Sequence, residues 1–283
     1  MSNVMDWIGR QEIVQEQLDA QRVMQLANTL SRPMDCQKGA GLPTLWHWIV
    51  TVAAIPMDKV GRDGHPQKGL FLPPVELPRR MWAGGRFEFG QAIKLGETVT
   101  RTSTIEAIKY KQGKTGELAF VTVSHAITGD QGGHVYEEHD IVYREDPKVD
   151  AADKAASTVK PVVVDTETSD WQQTIQADPV MLFRYSALTF NGHRIHYDRE
   201  YAAFEGYAGL VVHGPLIATY MVELIREHLP EVRISKFSFR ALQPIIDTHP
   251  FTVHARQEGG VVQVWATDHL GQRAMQGETH IEN

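Results

Sequence analysis

Polar and apolar positions alternate with a period of two in two groups of short segments, one from residue 98 and one from residue 251. Thr98 to Ile105, Glu117 to Ile127 and His134 to Tyr143 each place their apolar side chains on one face, as half-buried strands do. Phe251 to Arg256, Val261 to Asp268 and Arg273 to Ile281 repeat the pattern. Turn-forming clusters separate them, at Lys111 to Lys114, Asp130 to Gly133, Glu258 to Gly260 and His269 to Gly271. These gaps are too short for crossover helices, so each triplet predicts an antiparallel meander. A different pattern precedes each meander. Residues Pro43 to Ala54 and Pro215 to His228 are apolar around most of a helical circumference, which predicts two buried helices. Both begin with proline, whose missing N–H suits a first helical turn. Shorter helices are expected before them, at Ala20 to Leu30 and Pro179 to Leu188.

The two halves are weakly related. Arg86-Phe-Glu-Phe89 is matched by Lys236-Phe-Ser-Phe239, and Glu97-Thr98 by Asp247-Thr248 at the same offset. The order helix, apolar helix, strands, stated twice, predicts an α+β double hotdog: two tandem lobes, each a long central helix wrapped by a curled antiparallel sheet. The expected division is residues 1–147 for a first lobe without the catalytic loop, 148–168 for a linker, and 169–283 for a second lobe that carries the loop. The linker reading rests on a mixture of Asp, Lys, Ala, Ser, Thr and Pro without a long apolar run. The halves also differ. The second has a longer connection before its buried helix, read as the catalytic loop. The first has a longer, Pro- and Gly-rich segment after its helix, read as a wall of the substrate cleft.

The second-half loop runs from Phe183 to Asp198 and contains Tyr185, Asn191, Gly192, His193, Arg194 and His196. It resembles the hydratase motif of MaoC-like and R-specific enoyl-CoA hydratases, in which an aromatic residue precedes G-D-x-N-P-x-H. On that resemblance His196 falls on the family's catalytic histidine, Asn191 on its aspartate, His193 on its asparagine and Arg194 on its proline. Gly209 to Pro215 resembles the family's His-Gly at the start of the central helix. Leu77 to Gly85 and Thr189 to His196 are similar to a narrower branch, the mesaconyl-C4-CoA (3-methylfumaryl-CoA) and itaconyl-CoA hydratases with related 3-hydroxyacyl-thioester dehydratases. The resemblance implies a hydro-lyase that reversibly adds water to an enoyl-CoA, here a C5 dicarboxylic one that gives a citramalyl-type product. Tyr185, Arg194, His213, Arg80, Met81 and Trp82 are its expected substrate-binding residues.

An amide takes no proton near neutral pH, so Asn191 is expected to orient water or hydrogen-bond. The base is then a histidine, His196, with His193 or Asp198 as a second acid/base or water-orienting group. Hydrating a conjugated thioester places negative charge on its oxygen. The N–H of Gly214 at a buried helix start is the natural donor to it. His193 and His196 lack a third ligand at zincin spacing, so no metal is expected, and coenzyme A enters only as part of the substrate.

Composition narrows the field. A net charge of −7 argues against a nucleic-acid surface. Cys36 is the only cysteine, so no disulfide forms within the chain, in keeping with a reducing compartment. The first residues lack a signal-type apolar region and the longest apolar stretches, roughly ten residues, are too short to span a bilayer. A cytoplasmic protein with no membrane partner is expected, as a monomer or a homo-oligomer. Two other function classes remain: a hotdog thioesterase that hydrolyses the same thioester, and a non-catalytic acyl-thioester binding protein, suggested by the missing aspartate. Free thiol release marks the first, and saturable binding without turnover the second.

Overall fold

The computed structural model describes residues 3–113, 116–146 and 164–282. Strands β1 (Gln11–Gln17), β2 (Arg79–Phe89), β3 (Thr98–Gly113), β4 (Gly116–Gly129) and β5 (His134–Arg144) form one half of the sheet. Strands β6 (Trp171–Ile175), β7 (Arg233–Ala241), β8 (Phe251–Glu258), β9 (Val261–Thr267) and β10 (Arg273–Glu282) form the other. They make a single antiparallel sheet in the order β1-β3-β4-β5-β2-β7-β10-β9-β8-β6. Helices α1 (Ala20–Leu30), α2 (Pro179–Thr189), α3 (Arg199–Phe204) and α4 (Gly214–His228) complete it. Both predicted meanders are present, and the architecture is the expected α+β double hotdog.

The repeated Phe-x-Phe is the seam between the halves. Phe87 of β2 lies directly opposite Phe237 of β7. Their rings stack with centroids 5.6 Å apart, and Phe239 stacks on Phe87 at 6.0 Å. The close fit also requires Gly84, where a Cβ would come within 2.6 Å of the Phe239 carbonyl oxygen. Two weakly similar half-sequences therefore meet edge to edge at the residues that betray the similarity.

Local signals place the short helices. Asp19 caps α1 by accepting from the Gln21 N–H, and Asp178 caps α2 by accepting from Met181, with Pro179 in the first turn. The apolar α4 is buried over ten consecutive residues, Leu216 to Ile225, and packs against β8 and β9.

The helix expected over Pro43 to Ala54 does not form. Only one 3-10 turn, Trp46–Ile49, interrupts an irregular path. Leu45 and Thr51 on either side take positive φ, 69° and 55°, which no α-helix accommodates. Tertiary bonds hold the segment instead. Trp46 Nε1 donates to Glu223 of α4, Trp48 Nε1 donates to Glu137 of β5, and His47 pairs with the same carboxylate at 2.9 Å. The β-branched run Val50-Thr51-Val52 adds little helical preference to oppose them. The first lobe thus lacks the central helix of the second, and irregular chain covers its strands. Most of the expected linker at 148–168 lies outside the described residues, which resume at Val164. Among the described residues, no helix is long and apolar enough to cross a membrane.

Candidate active site

Helix α2 ends at Phe190, which adopts φ 51°, and the chain then turns under its own side chains. Asn191 Oδ1 accepts from the His193 N–H at 3.0 Å. A 3-10 turn, Arg194–His196, follows and buries His196. His196 Nδ1 lies 2.7 Å from the Val211 carbonyl oxygen. A carbonyl only accepts, so Nδ1 carries the hydrogen and Nε2 keeps its lone pair. The segment between β7 and β8 holds Val211 in place through an isolated bridge to Ile246. Asp247 Oδ1 accepts from Leu210 N at 2.9 Å, and Val212 N donates to Ile245 O at 2.9 Å. One half of the Glu97/Asp247 repeat therefore supports the segment that holds His196.

His196 stacks on His213, with ring centroids 3.6 Å apart and planes 19° from parallel. His213 is the fully buried N-cap residue of α4, tied through Nε2 to Ser186 Oγ at 2.8 Å. Gly214, the first residue of α4, then presents an N–H that no intrahelical acceptor can reach, at the positive end of a buried helix. His193 meets His196 edge-on at 5.5 Å.

The opposite wall comes from the first lobe, at Asp63 to His65. The His65 ring lies 4.4 Å from that of His193. Asp63 O accepts from Arg194 N at 2.9 Å, and the backbones of Gly64 and Gly192 touch so closely that a Cβ on Gly64 would fall 1.8 Å from the Gly192 oxygen. The Pro- and Gly-rich segment expected to wall the cleft meets the loop at Asp63 to His65, because Arg80 Nε holds Asp63 Oδ2 at 2.8 Å and draws that part of the segment inward. Sequence reasoning missed His65. The one signal was a polar Asp-Gly-His-Pro inside a segment already read as a cleft wall.

Several expected substrate contacts are otherwise engaged. Arg80 is buried against Asp63 and the Pro66 carbonyl, and Arg79 against Glu205 at 3.0 Å, so both guanidinium groups are already paired. Arg194 binds Asp198 Oδ2 at 2.6 Å and lies over the Tyr201 ring, which leaves its guanidinium paired. Asp198 accepts from Arg194 and, as the N-cap of α3, from Tyr201 N, so it is not a second acid/base beside His196. Tyr185 is buried, edge-on to His213 at 5.1 Å, and supports that ring from the core. Trp82 turns into the first lobe, 3.9 Å from the His139 ring, and Met81 is exposed. Asn191, His193, His196, His213 and Gly214 are the expected residues that come together.

Electrostatics suits a neutral imidazole cluster. Burial pushes His196 down to about 4, against the Val211 bond, which acts the other way. Burial first, then neighbouring histidines, lowers His193 and His213 as well. Burial would raise Asp63, but hydrogen bonds from His65 and Arg80 outweigh it and hold its carboxyl well below the usual range. Stability should follow. Unfolded histidines bind protons near pH ~6.5, which the folded chain refuses, so stability is full above that pH and falls as the pH drops toward 4. His196 alone accounts for up to about 3 kcal/mol of this, from its shift to about 4. Carboxylates held below their usual range titrate under this window. Urea unfolding at pH 7 and pH 5 checks it, and equal midpoints would show that the cluster is not buried in its neutral form.

The fold and this cluster define a double-hotdog hydro-lyase of the hydratase/dehydratase type. The sequence profile of the family described as hydroxyacyl-thioester dehydratase type 2 matches residues 45–247, and the chain belongs to that family. It is 42% identical to a mesaconyl-C(4)-CoA hydratase of Chloroflexus aurantiacus, over 96% of this chain and 95% of that protein. It is 27% identical to a mitochondrial hydroxyacyl-thioester dehydratase type 2 of Schizosaccharomyces pombe, over 76% and 78% of the two chains. Among solved structures, a MaoC-like dehydratase from Phytophthora capsici aligns with a TM-score of 0.71 at 14% identity, covering 100% of this chain and 98% of that one. The likeness at that level is one of fold.

Proposed function

We propose that this enzyme hydrates a C5 dicarboxylic enoyl-CoA of the mesaconyl-C4-CoA type, in the reversible reaction that also dehydrates the matching 3-hydroxyacyl-CoA. The observation that carries the reading is the stack of His196 on His213, which sets a neutral base beside the Gly214 N–H. The thioester oxygen accepts from Gly214. His196 Nε2 takes a proton from water, the oxygen attacks the β-carbon, and negative charge moves onto the thioester oxygen as an enolate. The α-carbon then gains a proton. Coenzyme A enters as part of the substrate, and only water is added.

The dicarboxylic choice is supported by the 42% identity to a mesaconyl-C(4)-CoA hydratase and by Asn191. Its Oδ1 is committed to the His193 N–H, and a carboxylate would serve that bond equally well, so Asn191→Asp should fold. A new carboxylate near the substrate's own would repel it by several kcal/mol at about 4 Å and an effective dielectric near ~20. Asn191→Asp is therefore expected to keep or raise kcat/KM on crotonyl-CoA and to lower it on mesaconyl-C4-CoA or itaconyl-CoA. An equal change on both classes would remove the charge argument. Arg194 cannot be assigned to the substrate carboxylate as long as Asp198 holds it; His193 Nε2, buried without a partner, is the better donor. The match to the hydroxyacyl-thioester dehydratase family favours a fatty-acyl substrate as the second reading, and a higher wild-type kcat/KM on crotonyl-CoA and longer enoyl-CoAs would select it.

A further inference from the structure

The loop carries one base and no free acid. Asn191 has no titratable group. Asp198 is held by Arg194 and the α3 backbone, and Glu205 is buried against Arg79. His193 is buried between its neighbours, with 4% of its surface exposed. Hydration nonetheless needs two proton movements, one from water and one to the α-carbon.

His65 stands where the second group is missing. It reaches the site from the other lobe, its side chain is 27% exposed, and its ring is 4.4 Å from His193, which in turn is 5.5 Å from His196. The Asp63 carboxylate lies 3.5 Å from His65 Nδ1 and is itself fixed by Arg80 through two hydrogen bonds. Burial lowers the His65 pKa from the ordinary imidazole value, while the carboxylate behind it acts the other way and orients the ring. The charged or titratable groups facing His65 are Asp63, Arg80 of β2, His193 and His196 of the loop, and Glu205 after α3.

We propose that His65, backed by Asp63, is the second acid–base group of the hydratase, delivering the proton to the α-carbon while His196 takes one from water. The inference rests on the hydratase reading. In the forward direction, a water O–H bond breaks and its proton goes to His196 Nε2. The C–O bond forms at the β-carbon, and the π pair moves into the enolate. The enolate then forms its Cα–H bond as His65 gives up its proton. The imidazolium at His196 returns its proton to His65 along the row through His193 or by way of solvent, so the cycle closes with no other reactant.

The test compares wild type, His65→Gln and Asp63→Asn on one enoyl-CoA, with circular dichroism as the check on folding. Wild-type kcat should fall as the pH rises through the titration of His65, which burial places below the ordinary imidazole value. His65→Gln, at a partly exposed position, should fold, lose kcat by roughly a hundredfold and lose that limb. Asp63→Asn should move that limb to lower pH, because removing the anion makes His65 easier to deprotonate. For folded His65→Gln, near wild-type kcat or a lower kcat with an unchanged pH profile overturns the proposal. A wild type that hydrates no enoyl-CoA in a short panel overturns the hydratase reading itself, and is distinguished by failing before any variant is compared.

Discussion

His196→Ala is expected to lower kcat by roughly a hundredfold or more while KM changes little, the usual consequence of removing a general acid/base. The geometry explains why no neighbour should take over. Nδ1 is tied to Val211 O, so the free lone pair is fixed in direction, and the stacked His213 is bonded to Ser186 and fully buried. Burial holds His196 down to about 4, so it is already the free base at neutral pH, and the loss should persist across the neutral range. The ring leaves a cavity against His213, so stability should fall as well, and folding must be checked beside the kinetics. His193→Ala should be milder. Steady-state rates on an enoyl-CoA, read by loss of enoyl absorbance, decide the matter: a folded His196→Ala protein with near wild-type turnover would remove it from the chemistry.

Gly64→Ala should be nearly as damaging without touching a titratable group. Gly64 sits at φ +88°, and an added Cβ would fall 1.8 Å from the Gly192 oxygen. That atom belongs to backbone, so no rotamer relieves the clash, and the Asp63 to His65 segment must lift from the catalytic loop. Displacements of about 1 Å at a reacting centre can lower rates by roughly a hundredfold, and kcat/KM is expected to drop on that scale. Stability should fall by about 1–3 kcal/mol. Gly9→Ala is the control, because φ is +83° there but nothing lies within 4 Å of the added carbon. It should lose stability and keep activity. Equal activity in the two variants would mean that the lobes need not meet at Gly64 for catalysis.

Much of this molecule is legible along the chain because its signals are local. Asp19 and the apolar stripe over Ala20 to Leu30 define α1, and alternation defines the meanders. The all-round apolar pattern after Pro215 defines the buried α4. The Phe-x-Phe repeat even identifies the strands that join the lobes. The spacing from Tyr185 to His196 locates a candidate loop without revealing what its neighbours are. Pro43 to Ala54 shows where local pattern fails: its residues suit a buried helix, but bonds from Trp46, His47 and Trp48 to Glu223 and Glu137 select another path.

By itself the sequence determined the strand periodicity, the starts of α1, α2 and α4 and the loop that carries His196, since each depends on residues a few positions apart. Tertiary structure alone decided which charges pair and which histidines meet. Asp63 and His65 stand more than a hundred residues from His193, yet a Gly64–Gly192 backbone contact and the Arg80–Asp63 bond bring them together. The same packing pairs Arg79 with Glu205 and buries Tyr185 beneath His213. Hydrogen bonds and burial are settled by which surfaces the folded chain presses together, and no spacing along one half of the chain encodes what the other half will supply.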